Sequence, residues 1–271
     1  MTKRMTTLSR AMDEVQQGDF HGKLAVKGSD EISHLTIHFN DMVENIRNLM
    51  DEVVVTQNEK RQRELQVLQA QINPHFLYNT LDTIQWKALE YDAQELSDLI
   101  FALASFFRIS LSKGEEKITL EKEIDHVRSY LEVQQYRYGE ILDYEIKIND
   151  NIKKAIVPKI IIQPLVENAI YHGIKPKLSK GKITIVVERV DEEIRIQVKD
   201  DGVGLEEEKR RDLLKSLSYE KPVGSYGLYN VHQRVLLYYG SSYGITMESK
   251  VLEGTTVTIH LPFEKGEEDN A

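Results

Sequence analysis

The chain has no cysteine. That excludes a disulfide framework, a thiol nucleophile and a thiolate metal site, and it fits a reducing, cytosolic compartment. An excess of basic residues is also lacking. With a net charge of -9 and an isoelectric point near 5.5, no basic stripe offers counterion release, so no nucleic-acid partner is expected. No apolar run approaches the roughly 20 residues needed to cross a bilayer, and Met1-Thr2-Lys3-Arg4 leads into no signal-peptide pattern. What remains is a chain of 271 residues, long enough for a full catalytic core with smaller helical elements beside it.

The apolar residues of the N-terminal part are spaced for helices. Met5, Leu8, Met12 and Val15 fall at alternating three- and four-residue steps, and Gly18-Asp19 breaks the run. After Gly28-Ser29-Asp30 a stripe restarts at Ile32 and continues through Leu35, Phe39, Met42, Ile46, Leu49 and Val53, the seam of a coiled-coil-like helix. From Thr56 to Glu64 the sequence is polar, fitting a flexible joint or a solvated helix surface equally well. Apolar spacing resumes at Leu65, Leu68 and Ile72, and its rhythm lands on His75 and Asn79. Pro74 removes an amide from this helix and predicts a bend just before His75. A second helix is predicted from Asp92, with Asp92 and Glu95 at capping-box spacing and Leu96, Leu99, Leu103 and Phe106 turned inward. Joined near Tyr91, the two form a hairpin, and two such hairpins would make a four-helix dimerisation bundle.

Farther on, a helix is predicted over Asp125 to Tyr138. Strands are predicted at Tyr144–Ile148, Lys182–Val190, Ile194–Asp200, Gly244–Lys250 and Thr255–Leu261. Helices over Lys159 to His172 and Ser225 to Tyr239 would pack on the sheet, giving an α+β two-layer sandwich. A Rossmann domain is excluded, because no G-x-G-x-x-G follows a first strand. Three boxes punctuate this region: Gln163-Pro164-Leu165-Val166-Glu167-Asn168-Ala169-Ile170-Tyr171-His172-Gly173, Asp200-Asp201-Gly202-Val203-Gly204, and Gly224-Ser225-Tyr226-Gly227-Leu228. The second alone would suit a hairpin turn, and the first alone a polar helix surface. Their order and spacing are what make them specific.

In that order the boxes resemble the nucleotide pocket of the GHKL superfamily, which includes histidine kinases, heat-shock chaperone ATPases and mismatch-repair ATPases. Gln71-Ile72-Asn73-Pro74-His75-Phe76-Leu77-Tyr78-Asn79 closely resembles the phosphoacceptor segment of LytS/YesM-type sensor histidine kinases, and the helical pair before it looks like a HAMP signal relay. The resemblance implies a multidomain chain: HAMP-like 1–55, phosphoacceptor hairpin 56–113, GHKL ATP-binding domain 114–263 and a disordered acidic tail 264–271. It implies ATP and Mg2+ as cofactors, a homodimer, and the receiver domain of a response regulator as partner. It further implies a membrane-anchored sensor whose receptor part lies upstream of residue 1, this chain being the cytoplasmic part.

Carried over residue by residue, His75 is the phosphoacceptor and Asn79 a candidate for dephosphorylation of the regulator. Phe76 stands where the commoner histidine-kinase class has an acid, so Glu167 becomes a candidate base. Asn168 would hold magnesium, His172 would contact the nucleotide, and Asp200 would accept the adenine amino group. Gly202, Gly204, Gly224, Gly227 and Leu228 would line the pocket and its lid, with Leu205–Val223 as a mobile or surface-helical cover. Three departures from the pattern are Arg4 for an early HAMP proline, Pro164 for a polar residue, and Tyr171 for a basic one. A plain GHKL ATPase and an ATP-binding pseudo-kinase scaffold are the alternatives.

Overall fold

The computed structural model describes residues 2–16, 24–26, 28, 30–46, 74–112, 116–217 and 226–265. They fall into two compact units, 1–73 and 74–271. In the first unit, α1 (Thr2–Gln16) and α2 (residues 31–46) pack through Leu8, Ala11, Phe39 and Val43, with Val15 and Leu24 at the margin. Asp30 opens α2: its carboxylate accepts the Ser33 amide at 3.1 Å and the Ser33 hydroxyl at 2.8 Å, an N-cap. Asn40 fixes the connector, accepting from the Leu24 amide at 3.0 Å and donating to its carbonyl at 2.9 Å. The expected seam therefore divides. Phe39 is buried against α1, while Leu35 and Met42 stay exposed, as do Met5 and Met12 of α1. The Gly18-Asp19 break and the stripe beyond Ile46 lie outside the described residues.

The second unit opens with a helical hairpin. Helix α3 (Pro74–Glu90) and α4 (Gln94–Ser110) pack through Leu81, Ala88, Ile100 and Ala104. The expected bend before His75 falls outside the described residues. Two expectations for α4 are corrected. Asp92 does not cap it: this residue has φ 54 in the turn, Ala93 is the N-cap, and no side chain bonds there. Of the residues expected inward, Leu96 is exposed, while Leu103 packs in the hairpin cluster and Phe106 against the sandwich core; Ser97, Ile100, Ala102 and Ala104 are buried. The helix contact pairs Leu81 and Ile100 with the small Ala88 and Ala104.

The sandwich follows as expected, as an α+β two-layer GHKL fold. Its sheet has the order β2-β4-β5-β7-β6, from β2 (Leu142–Ile148), β4 (Gly181–Val190), β5 (Glu193–Asp200), β6 (Gly244–Lys250) and β7 (Gly254–Pro262). Only the β2–β4 pair is parallel. One face, carrying Ile183, Ile185, Ile194, Ile196, Ile259 and Leu261, is almost wholly buried. The helices of the other layer include α5 (Leu120–Tyr138), α6 (Gln163–Asn168) and α9 (Tyr226–Tyr239), and α8 (Glu207–Ser216) follows the glycine box. Helix α5 starts at Leu120, ahead of the expected Asp125, because Thr119 caps it by accepting the Lys122 amide. The stretch expected as one helix from Lys159 to His172 is instead a turn after strand β3 (Ile156–Pro158), then α6 and a π-helical turn Ala169–Ile174, which the short α7 (Lys175–Lys177) follows. Strand β3 pairs with β1 (Lys117–Thr119). Glu264 and Lys265, read from sequence as disordered tail, are docked: the Glu264 carbonyl accepts the Ile156 amide at 2.9 Å, and Lys265 bridges to Ala155.

Hairpin and sandwich meet at His126, fully buried on α5. The ring stacks on Phe106 of α4, centroids 4.8 Å apart, and Nε2 lies 2.8 Å from the Ser110 hydroxyl. That hydroxyl donates to the Phe106 carbonyl at 2.9 Å, so its oxygen accepts and the imidazole carries its proton on Nε2. Nδ1 has no hydrogen-bond partner. Protonating Nδ1 would bury an unpartnered N–H, and burial, with the nearby Lys159 charge, pushes the ring down to about 4. A base held below its ordinary value stabilises the fold above that value, and the contribution is lost as pH falls from 6.5 towards 4. The depression corresponds to about 3 kcal/mol in full. Urea unfolding should therefore show an acid limb between pH 7 and pH 5 that is shallower in His126→Phe, by about 2 kcal/mol; an identical limb in the variant would refute the assignment.

Candidate functional site

Strand periodicity builds the centre of the site. In β5, Ile194, Ile196 and Val198 face the core, and Asp200, two residues on, is carried to the same side by the strand's period of two. The residue is 3% exposed. Oδ1 accepts the Gly202 amide at 2.9 Å, and the Thr255 backbone also bonds it. Burial outweighs these bonds and pushes the Asp200 carboxyl up to about 6.

The π-helical turn after α6 comes up against this carboxylate. A Cβ on Gly173 would lie 2.4 Å from Asp200 Oδ1, and one on Gly202 would lie 2.3 Å from the Gly173 carbonyl carbon. Only hydrogens fit in either place. The Val203 amide then donates to the Gly173 carbonyl at 3.1 Å. Gly204 has φ +65, and a Cβ there would collide with the Lys250 carbonyl oxygen at 1.9 Å. The glycine loop is thus fixed between the π turn and the β6–β7 hairpin.

Asn168 ends α6, half-buried. Its amide nitrogen donates to the Pro164 carbonyl at 2.7 Å, which turns the amide oxygen away from the helix axis. Pro164 lies in the first turn of α6, where a missing amide costs no helical bond. Gly227, in the first turn of α9, approaches from the other side; a Cβ there would lie 3.7 Å from Asn168 Nδ2 and 3.4 Å from Pro164. Leu228 is buried and belongs to the sandwich core. Glu167 accepts from Gln163 Nε2 at 2.7 Å, a bond within α6. His172 is exposed on the π turn. Gly224 lies outside the described residues, as does the cover from Ser218 to Val223; its described portion includes α8.

His75 and Asn79 sit elsewhere, exposed on α3, with Asn79 Nδ2 3.2 Å from His75 Nδ1. The residues of interest therefore form two groups, one on the hairpin and one where α6, β5 and α9 converge. Three residues beside the second group were given no individual role from sequence. They are Gly173, whose small size the carboxylate requires, and Glu123 and Lys159, which hold the turn ahead of α6. Glu123 had a legible signal: it falls on the same face of α5 as Leu120 and Val127.

The donor set suits the nucleotide and ion implied by the sequence. A buried carboxylate bordered by glycine-only approaches offers an acceptor with close backbone access. A single amide oxygen is enough for magnesium, whose octahedron is otherwise filled by phosphate oxygens and water.

Comparison with known families agrees with this geometry. Residues 1–48 match the HAMP domain, 63–142 the histidine kinase family, and 154–265 the histidine kinase-, DNA gyrase B- and HSP90-like ATPase family. The chain is 32% identical over 266 residues to the sensor histidine kinase YesM of Bacillus subtilis (strain 168), covering 97% of this chain and 45% of that protein. It is 34% identical over 207 residues to the sensor protein LytS of Bacillus anthracis, covering 76% and 35%. With the sensor histidine kinase YpdA of Escherichia coli (strain K12) the identity is 35% over 200 residues, covering 73% and 34%. The chain spans less than half the length of these curated relatives. Matched in the same order through relay, hairpin and ATPase segments, it belongs to the LytS/YesM-type sensor histidine kinases.

Proposed function

We propose that this chain is the kinase portion of a two-component sensor: it binds Mg-ATP, phosphorylates its own His75 and passes the phosphoryl group to an aspartate of a response regulator. The single observation that carries the reading is the pairing of a glycine-bordered buried Asp200 with an exposed, amide-tethered His75 on one chain. A plain ATPase or an ATP-binding scaffold would use the first group and has no need of the second. The working division is 1–55, 56–113 and 114–263, with the protein paired as a homodimer and anchored in the membrane through a segment upstream of residue 1. Among the described residues no helix is long and apolar enough to cross a membrane.

In this reading the Asp200 carboxylate accepts the adenine amino group, and Gly202 and Gly204 let the backbone approach the base. His172, Gly224, Gly227 and Leu228 border the phosphates and lid. Asn168 offers its amide oxygen to magnesium, which supplies charge neutralisation along the phosphates. Asn79 meets the ring through its amide nitrogen, and turning that amide over would bring its oxygen to Nδ1. With its oxygen towards Nδ1–H, the lone pair of His75 Nε2 is left for attack on the γ-phosphorus, forming the N–P bond as ADP departs. Glu167 is the candidate to receive the released proton. Asn79 is also placed to act on a docked phosphorylated regulator.

Incubation with γ-labelled ATP and magnesium should give acid-labile, base-stable label on the chain and none on His75→Ala; full labelling of that variant would refute the assignment. For Asp200 a raised carboxyl value has two consequences. The neutral form favours the fold, a contribution lost as pH rises through about 6, so the charged residue costs the fold about 3 kcal/mol at neutral pH. Asp200→Asn should therefore melt no lower than the unaltered protein at pH 7.5 while binding ATP roughly tenfold or more weakly. In the unaltered protein ATP affinity should fall as pH drops below 6, because the carboxyl gains a proton where it must accept one. Equal affinity for ATP and GTP, measured calorimetrically, would contradict the adenine contact.

The homodimer reading predicts that Met42→Glu, a charge on the exposed apolar face of α2, lowers dimer stability in sedimentation equilibrium and shifts autophosphorylation, with ATP binding unchanged. A monomer that still phosphorylates itself fully at micromolar concentration would rule it out.

A further inference from the structure

The turn between β3 and α6 is held more tightly than a connection needs. Ile160, a β-branched residue, sits at φ 58, a conformation such side chains avoid. Glycine or asparagine would adopt it without strain, so the surrounding bonds must impose it. The source is Glu123, fully buried in the first turn of α5. Its Oε2 accepts the Ile160 amide at 2.9 Å, and its Oε1 accepts Ile161 at 2.8 Å and Ile162 at 2.9 Å. Three successive amides converging on one carboxylate form an anion-binding concavity occupied by the protein's own side chain. From the other side Arg234 of α9 donates to the Lys159 carbonyl. The Lys159 ammonium reaches the end of the hairpin, donating to the Ser110 carbonyl at 3.1 Å, the Ser112 carbonyl at 3.2 Å and the Ser112 hydroxyl at 2.9 Å.

We propose that Glu123 is a positioning residue for the magnesium end of the nucleotide site: through the amides of Ile160, Ile161 and Ile162 it fixes the entry, and so the height and rotation, of the helix that carries Asn168. The proposal rests on the kinase reading of the site. Ile162 directly precedes α6 and accepts the Leu165 and Val166 amides. Asn168 lies six residues beyond it, so a rotation at the entry is carried rigidly to the amide oxygen. The adenine end is built on β5, and the π turn beside it is pinned separately, by the Val203 amide on the Gly173 carbonyl at 3.1 Å and by the fit of Gly173 against Asp200. Glu123 therefore acts on one end of the ligand and not the other. Through Lys159 the same turn is tied to the last residues of the hairpin, which gives the phosphoacceptor helices a direct mechanical route to Asn168.

The test is Glu123→Gln in the full chain, measuring ATP affinity with magnesium and with chelator. Glutamine can keep the two bonds at one oxygen but turns an NH2 group towards the Ile160 amide. The expected result is a roughly tenfold loss of Mg-ATP affinity, the scale of outer-shell effects on metal sites, with magnesium-free affinity within about twofold. Faster amide exchange at Ile160–Ile162 should accompany it in the nucleotide-free protein. A general loosening of the fold would weaken both affinities alike, and that outcome, or unchanged Mg-ATP affinity, overturns the proposal. Should Glu123→Gln fail to fold, Arg234→Met reaches the same turn from an exposed position; it should show the same magnesium-selective loss, and its absence overturns the proposal equally. Failure of the unaltered protein to bind nucleotide overturns the site reading and this role together, whereas normal binding by a folded Glu123→Gln overturns this role alone.

Discussion

A buried carboxylate, on a residue only 3% exposed, is the constraint around which the sandwich is arranged. Strand periodicity drives Asp200 inward with the isoleucines of β5, and the chain around it is shaped by what the carboxylate leaves room for. Gly173 and Gly202 have no Cβ because neither position has space for one. The π-helical turn exists where α6 must pass the glycine loop, and such turns recur at functional sites because the extra residue redirects the backbone. Burial destabilises the charge, and the backbone bonds to it only partly offset this. A neutral residue would suit the fold better, and the proposed adenine contact is what would give the charge a use.

The second organising feature is a run of polar groups where hairpin and sandwich join. An apolar anchor is present, since Phe106 packs on the sandwich core. Around it, specificity comes from the Ser110 hydroxyl, the neutral His126 ring and the Lys159 ammonium. Hydrogen bonds of this kind contribute modest net stability but are costly when mispaired. A junction built from them has few acceptable arrangements, whereas an apolar contact can slide. That property suits a hinge through which helix geometry has to be read by a nucleotide site.

Much of this was legible in the sequence, for identifiable reasons. Alternating apolar residues set β2, β4, β5, β6 and β7 to within a few residues, because one face of the sheet is buried and period two is unambiguous there. The glycine boxes were legible because close backbone approach leaves no alternative residue. The region from Lys159 was misread as one helix: Ile160, Ile161 and Ile162 have helix-compatible spacing, and only a tertiary contact, the Glu123 carboxylate, pulls their amides out of a helix. The cap at Asp92 failed for a related reason, since the turn takes that residue into a left-handed conformation and the helix begins two residues later. In α4 the large side chains suggested the inward face, and Leu103 and Phe106 do pack, but the buried positions also take Ser97, Ala102 and Ala104, which hydrophobicity does not flag. Pattern reading finds faces by hydrophobicity and misses those chosen by size.

The faces left apolar and uncovered bear on how the helical parts are stabilised. Among the described residues each two-helix element has a thin core: four clustered buried apolar residues in the N-terminal pair and four in the hairpin. Against these stand exposed Met5, Met12, Leu35 and Met42 in one, and Phe76, Trp86, Leu96 and Phe101 in the other. Two helices cannot enclose a core alone, and four-helix assembly is the usual way to do so. The sandwich, with its continuous core, needs no such help. In the proposed dimer the helical segments would then take most of their stability from pairing, so their geometry would follow the partner's. An upstream signal that shifts the pairing by a few kcal/mol could change the hairpin's arrangement without touching the sandwich. The polar junction at Ser110, Ser112 and Lys159 is the place where such a change would meet the nucleotide site.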